Sequence, residues 1–182
     1  MSRRERLLDE LRGYGPADDT EAQNVEAVVN LLTTSADPFS RGHFEPGHIT
    51  ASCYIVDPGG RLLLHHHRRL DRWLQMGGHI EAEELTSDAA LREGREESGL
   101  ADLMLTGGIL DVDVHAIPAS KGDPLHRHFD VRYIARTAAP QSVSMHPDES
   151  NDLAWVTLER AAELMNAPES TRVIRKLGAM LG

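Results

Sequence analysis

The chain carries one cysteine, Cys53, among 182 residues. A lone thiol closes no internal disulfide and builds no cysteine-based zinc site, a pattern that suits a reducing compartment. Aromatic residues are scarce, at 4%, so a core has to rest on Leu, Val, Ile, Ala and Met. No apolar run approaches the roughly 20 residues that cross a bilayer. Near the start, Asp9 and Glu10 break up Leu7, Leu8 and Leu11, which leaves no signal-type hydrophobic stretch. A cytoplasmic protein with no membrane partner is the expectation. Positive charge is in the minority: Lys and Arg number 19 against 29 Asp and Glu, a formal net charge of −10. A general nucleic-acid binder needs a basic footprint, so nucleic-acid partners are disfavoured. What is present is a hydrophobic fraction of 40%, enough for a buried core and too high for global disorder. There are also ten histidines, several of them clustered.

Apolar spacing predicts two short helices at the start, over 3–12 and 19–32, the second capped by Thr20. A Pro- and Gly-containing stretch follows, and we place the boundary of an N-terminal helical arm (1–45) there, ahead of a main domain (46–182). From His48 the pattern becomes β-branched and compact. It predicts a strand, a tight turn at 57–60 and a partner strand over 61–67. Residues 85–97 read as a helix ended by Gly99. Two further strands are predicted, over 107–119 and 126–136, paired antiparallel. A short apolar piece at 153–158 precedes a helix over 159–165, and a last helix begins near Pro168. Hairpins mixed with single helices give an α+β class, or a mixed-sheet sandwich.

The segment with chemistry is the helix from 85 to 97. Glu93 and Glu97 are four apart and Glu96 lies three beyond Glu93, so all share one side of the helix. Like charges on adjacent turns repel, and something must offset them. A divalent cation does so economically, and Mg²⁺ or Mn²⁺ prefers carboxylate oxygen and water. Arg92 and Arg95 interleave and can orient or neutralise these groups. The bland alternative is a solvated charged face.

The run Gly78, Glu84, Arg92, Glu93, Glu96, Glu97, Gly99 and Leu100 resembles the Nudix box at every one of those positions. One site departs: the apolar position after Arg-Glu is Gly94, at a helix-interior cost of about 1 kcal/mol. The resemblance spans roughly residues 48–165. It implies a Nudix-type α/β/α sandwich with a mixed β-sheet flanked by helices. It also implies a metal-dependent hydrolase cleaving a pyrophosphate bond in a nucleoside-diphosphate-linked or nucleotide substrate. By position it makes Glu93, Glu96, Glu97 and the Gly77 carbonyl ligands of Mg²⁺ or Mn²⁺. Glu96, Glu97 and Arg92 then join the catalytic set, with Arg92 orienting a carboxylate and Glu84 in support. Family members are commonly dimers, so a homodimer is compatible with the resemblance. A non-catalytic nucleotide sensor and a prenyl-diphosphate isomerase, the latter drawing on Cys53, are the alternative functions on the same fold.

Outside the box, the resemblance implies a base or an extra ligand in a later loop, and 146–155 fits it, with Glu149 preferred over Asp148 and Asp152; a polar turn accounts for any one of them equally well. The basic cluster His65, His66, His67, Arg68, Arg69 and Arg72 reads as a phosphate-binding mouth or as a solvated connection. Arg69, Arg72, His79 and His128 are the candidate substrate contacts. His126, His128 and Asp130 alternate, so they share one face of a strand and suggest a lined cavity. Trp73 and Tyr133 have faces a base can stack on, although packing explains them as well. Cys53, inside an apolar strand, reads as a buried thiol.

Overall fold

A computed structural model describes residues 1–120, 122–145 and 150–182. Helix α1 (Arg3–Arg12) opens with a capping box: the Ser2 hydroxyl accepts from the Glu5 N–H, and the Ser2 N–H donates to the Glu5 carboxylate at 2.7 Å. Helix α2 (Asp19–Thr34) is capped by Asp18, which accepts from the Glu21 N–H at 2.8 Å. The expected cap, Thr20, lies inside the helix, because Asp18, two residues upstream of it, offers a carboxylate to the first-turn donors.

Eight strands follow: β1 (Gly47–Val56), β2 (Leu62–His67), β3 (Arg72–Leu74), β4 (Met76–His79), β5 (Met104–Leu105), β6 (Asp111–Ile117), β7 (His126–Arg136) and β8 (Ser150–Val156). Helix α3 (Thr86–Ser98) lies between β4 and β5; α4 (Leu158–Met165) and α5 (Pro168–Leu181) close the chain. The sheet is mixed. β1 runs parallel to β7 along its whole length, from Gly47 opposite Arg127 to Val56 opposite Arg136. On its other side β1 is shared: β2 pairs with its end (Ile55, Val56) and β4 with residues 50–53. β3 and β8 extend the sheet from β2, and β5 and β6 both pair with β7. The expected 48–67 hairpin and the antiparallel β6–β7 pair are both present.

Alternation along β1 sorts its residues between layers. Ile49, Ala51, Cys53 and Ile55 face a core shared with α1, α2 and α3. Tyr54 and Val56 join a second core with α4 and α5 on the other side. Helices therefore cover both faces, giving the α+β sandwich the resemblance implied. Earlier on that second face stand His48, Thr50 and Ser52, where polar chemistry replaces the apolar filling. Leu7, Leu11, Val28, Leu31 and Leu32 of the first two helices are all buried in the first core.

β6 departs from an apolar-in, polar-out strand. Val112 enters the first core, but Asp111 and Asp113 on its other face are buried too. They are held by cations. Arg132, 4% exposed, donates to Asp130 at 2.9 Å, Asp113 at 3.0 Å and Asp111 at 3.3 Å. Arg172 of α5 grips Asp111 at 2.7 and 2.9 Å. Lys176 donates to Asp111 at 3.0 Å and to Glu21 of α2. Glu21 also takes the Val112 N–H at 3.1 Å and the Ala17 N–H at 2.6 Å.

Removing one member of a buried ion network strands its partners and costs about 3–5 kcal/mol. Arg132→Met is therefore expected to lower the unfolding free energy by about that amount in urea; a loss below about 1 kcal/mol would contradict the account. Burial opposes ionisation of Glu21, but the Ala17 N–H, Lys176 and Tyr14 outweigh it and hold the carboxyl down at about 2 against its ordinary 4.5. A depressed carboxyl contributes stability that is full above pH 4.5 and drains away as pH falls toward 2. Urea midpoints in that window should fall less steeply for Glu21→Gln than for the natural chain. Equal slopes would remove Glu21 from the acid response.

Candidate active site

Helix α3 places its acids where the helix gives them least help. Glu96 and Glu97 occupy the last turn, whose exposed carbonyls carry partial negative charge. Arg92, one turn earlier, collects the resulting charge. Its Nε donates to Glu84 Oε1 at 2.9 Å, and its Nη2 to Glu84 Oε2 at 3.0 Å. Its Nη1 reaches Glu93 at 3.0 Å and Glu96 at 3.1 Å, and Nη2 also meets the His79 carbonyl at 2.9 Å. Burial disfavours an ionised Glu84, yet Arg92 and the Glu81 N–H bring its carboxyl below the ordinary range. Arg92 thus locks the loop at 79–84 to the acidic helix. Gly99, at φ 71°, ends α3 in the left-handed conformation, as expected.

Two glycines of β4 bring the acids to a cleft. The Gly77 N–H donates to Glu97 Oε2 at 2.7 Å. A Cβ on Gly78 would collide with the Glu93 carboxylate, and one on Gly77 with Ser52. With no side chains there, carboxylates anchored on the α3 side pass the strand and enter a cleft of about 400 Å³. Its lining includes Glu93, Glu97, Gly77, His79, His128 and Arg69. Glu96 and Arg72 are outside that lining. The Glu96 side chain is 58% exposed and held by Arg92, and Arg72 is exposed on β3. Glu149 and Asp148 lie outside the described residues, and Asp152 is exposed on β8.

Other lining residues had weaker signals. Thr50, Ser52 and Asp130 form the floor: Asp130 accepts from Ser52 at 2.8 Å and Thr50 at 3.2 Å, and Arg132 balances its charge. The alternation of His126, His128 and Asp130 pointed there; the serine and threonine of an apolar-looking β1 did not. His65 and His67 project into the cleft while His66 turns toward Trp73, its ring 5.3 Å away. His65 is 1% exposed and bonded to Ser150 at 2.8 Å, and burial pulls it down to about 4. It is neutral at pH 7, so the triplet is no solvated connection at that position. Tyr133 is buried with its hydroxyl against Thr86 at 2.7 Å, and Trp73 packs against the second core. Neither aromatic lines the cleft.

Cys53 explains Gly94. A Cβ at 94 would stand 2.6 Å from Cys53 Sγ and 3.2 Å from Leu103 Cδ1. The sulfur occupies the space where an apolar side chain at 94 would pack. Burial pushes the thiol well up from its ordinary value, so Cys53 is an inert packing group and no nucleophile or acid.

A glycine-lined strand feeding an acidic helix, beside a mixed sheet with helices on both faces, defines the class: a Nudix-type α+β fold with a carboxylate-lined cleft. The NUDIX domain model matches residues 46–177, and the chain belongs to that family. It is 29% identical over 117 residues, 62% of this chain and 70% of the relative, to a "Probable DHNTP pyrophosphohydrolase" of Lactococcus lactis subsp. cremoris. Its fold matches an Ap4A hydrolase of C. elegans with a TM-score of 0.60 at 22% identity, covering 73% of this chain and 96% of that one. The dihydroneopterin triphosphate pyrophosphohydrolase of E. coli matches with a TM-score of 0.58 at 17% identity, over 72% and 95% of the two chains.

The Cys53–Gly94 contact makes a coupled pair. Gly94→Ala alone gains about 1 kcal/mol of helix propensity but overpacks the interface at a cost of about 1–3 kcal/mol. In a Cys53→Ala background the sulfur is gone and the same change should turn favourable. A denaturation cycle over the four proteins is expected to give a coupling of at least about 1 kcal/mol; additivity would refute the contact.

Proposed function

We infer that the chain is a Nudix-type pyrophosphohydrolase, and we propose that it depends on Mg²⁺ or Mn²⁺ and acts on a small nucleotide or nucleotide-linked pyrophosphate. The observation that carries this is the convergence of Glu93 and Glu97 on one cleft beside the backbone of Gly77. That donor set is all oxygen, which suits a hard divalent cation. Glu93, Glu97 and the Gly77 carbonyl would hold the ion, with Glu96 at its exposed edge. When bound, such an ion would supply Lewis acidity, drawing charge from the pyrophosphate and lowering the pKa of an attacking water.

The chain's own groups do the rest. Arg92 fixes Glu84, Glu93 and Glu96 relative to the loop, and the Gly77 N–H fixes Glu97. Such fixed charges require no reorganisation as the reaction proceeds. Arg69, His79 and His128 line the same cleft and are the proposed substrate contacts, with Arg69 supplying permanent positive charge for phosphate. The exposed position of Arg72 supports a role no closer than the rim. Buried Cys53 offers no acid or nucleophile, which speaks against prenyl-diphosphate isomerisation. Dihydroneopterin triphosphate and dinucleoside polyphosphates join the nucleoside di- and triphosphates as substrates to test, on the strength of the relatives named above.

Release of phosphate, pyrophosphate or nucleoside monophosphate from that panel should require Mg²⁺ or Mn²⁺ and vanish in EDTA. Glu97→Gln keeps an acceptor for the Gly77 N–H and should fold normally, yet lose at least about 100-fold in kcat. Turnover that survives chelation, or a fully active Glu97→Gln, would overturn the assignment. Binding of a nucleotide without turnover in the natural chain would favour a sensor.

A further inference from the structure

At His128, in the cleft lining, three imidazoles meet. His48 of β1 and His128 of β7 are register partners across the parallel pair, with ring centroids 4.9 Å apart. His126 stands 5.2 Å from each of them. One nitrogen from each of the three lies within 4.8 Å of the others. We propose that His48, His126 and His128 form a binding site for a zinc-type divalent transition metal, separate from the carboxylate site. The proposal does not rest on the hydrolase reading.

The hydrogen bonds set the rings for this role. His48 Nδ1 faces the His43 carbonyl at 3.2 Å, and His126 Nδ1 faces the Pro124 carbonyl at 2.8 Å. A carbonyl only accepts, so each Nδ1 carries the proton and each Nε2 keeps a lone pair. Backbone carbonyls orient metal-binding histidines in this way. His48 is 1% exposed, and its Nε2 has no hydrogen-bond partner. A buried polar atom left unsatisfied is destabilising, and a bound cation would remove that cost. Burial, with neighbouring imidazoles adding to it, holds His48 and His128 below their ordinary value, so both are neutral ligands at pH 7.

Chemistry separates the two sites. Three imidazoles suit Zn²⁺, Ni²⁺ or Cu²⁺, whereas carboxylates suit Mg²⁺. So does distance. From His48 to Ser52, the register partner of Gly77, is four residues of strand, about 13 Å, too far for one ion to serve both. Nitrogens about 2.05 Å from a tetrahedral zinc lie about 3.3 Å apart, so the cluster closes by a turn of His128, the least buried of the three. His128 lines the cleft, so the three-histidine site borders the space proposed for substrate and leaves a fourth coordination position unassigned to the protein. Three protein ligands with an open position is the arrangement of zinc sites that act on a bound molecule.

Co²⁺ is the probe. The chain of 182 residues, stripped with chelator, is titrated with CoCl2 under saturating MgCl2. One equivalent should bind with the visible d–d absorption of a tetrahedral nitrogen site, and ZnCl2 should displace it. His126→Ala and His48→Gln should each weaken binding by at least about 100-fold, while Glu97→Gln should leave it unchanged. Thermal melts without metal establish that the variants fold. Two results would overturn the proposal: no tetrahedral spectrum in the natural chain, or a spectrum that survives His126→Ala and disappears in Glu97→Gln. In the first case the cluster is an aromatic wall, continuing the edge-to-face contact of Phe44 on His126.

Discussion

Arg132 is the residue on which the site most depends. It is buried in the sheet with an aspartate at each of three donor directions. A charge so placed loses several kcal/mol of hydration and is tolerable only when every donor has a partner. That requirement fixes β6 against β7, and it fixes Asp130, which in turn holds Thr50 and Ser52 on the cleft floor. Asp111 hands the constraint on to Arg172 and Lys176, and Lys176 to Glu21. One chain of ion pairs therefore runs from the first turn of α2, through α5, to the floor of the site. The helices that precede the family-matched region are joined to it by charge as well as by packing.

The acidic helix obeys the same rule at the surface. Glu84, Glu93 and Glu96 surround a single guanidinium whose planar fork serves all of them at once. The repulsion expected from the spacing of the acids is real, and Arg92 answers much of it before any cation arrives. Of the two carboxylates in the cleft lining, Arg92 thereby holds Glu93 in place in advance, and the Gly77 N–H holds Glu97.

Much of this was legible in the residues. The box is local, and local spacing places Glu84, Arg92, Glu93, Glu96, Glu97 and Gly99 on one helix and its flanking loop. The helices and longer strands follow from apolar period. What escaped depends on partners far away in the chain. β4 contains two glycines and no β-branched residue; it is a strand because β1 lies beside it. The parallel β1–β7 pair joins residues 80 apart, which no window of sequence displays. Asp111 and Asp113 look like the solvent face of a strand until α5 supplies Arg172. Serine and threonine in β1 carry no signal of their own, and neither does the burial of His65, since both depend on which strand ends beside them.

The packing of Cys53 under Gly94 has a further consequence for how the molecule's motions can be followed. The sulfur is the only thiol in the chain, and it is sealed between β1 and the middle of the acidic helix. A thiol reagent can reach it only when that helix lifts from the sheet. The rate of modification therefore counts openings of α3 against a background of complete silence from the rest of the chain. The natural protein carries a built-in clock for the breathing of its own acidic helix.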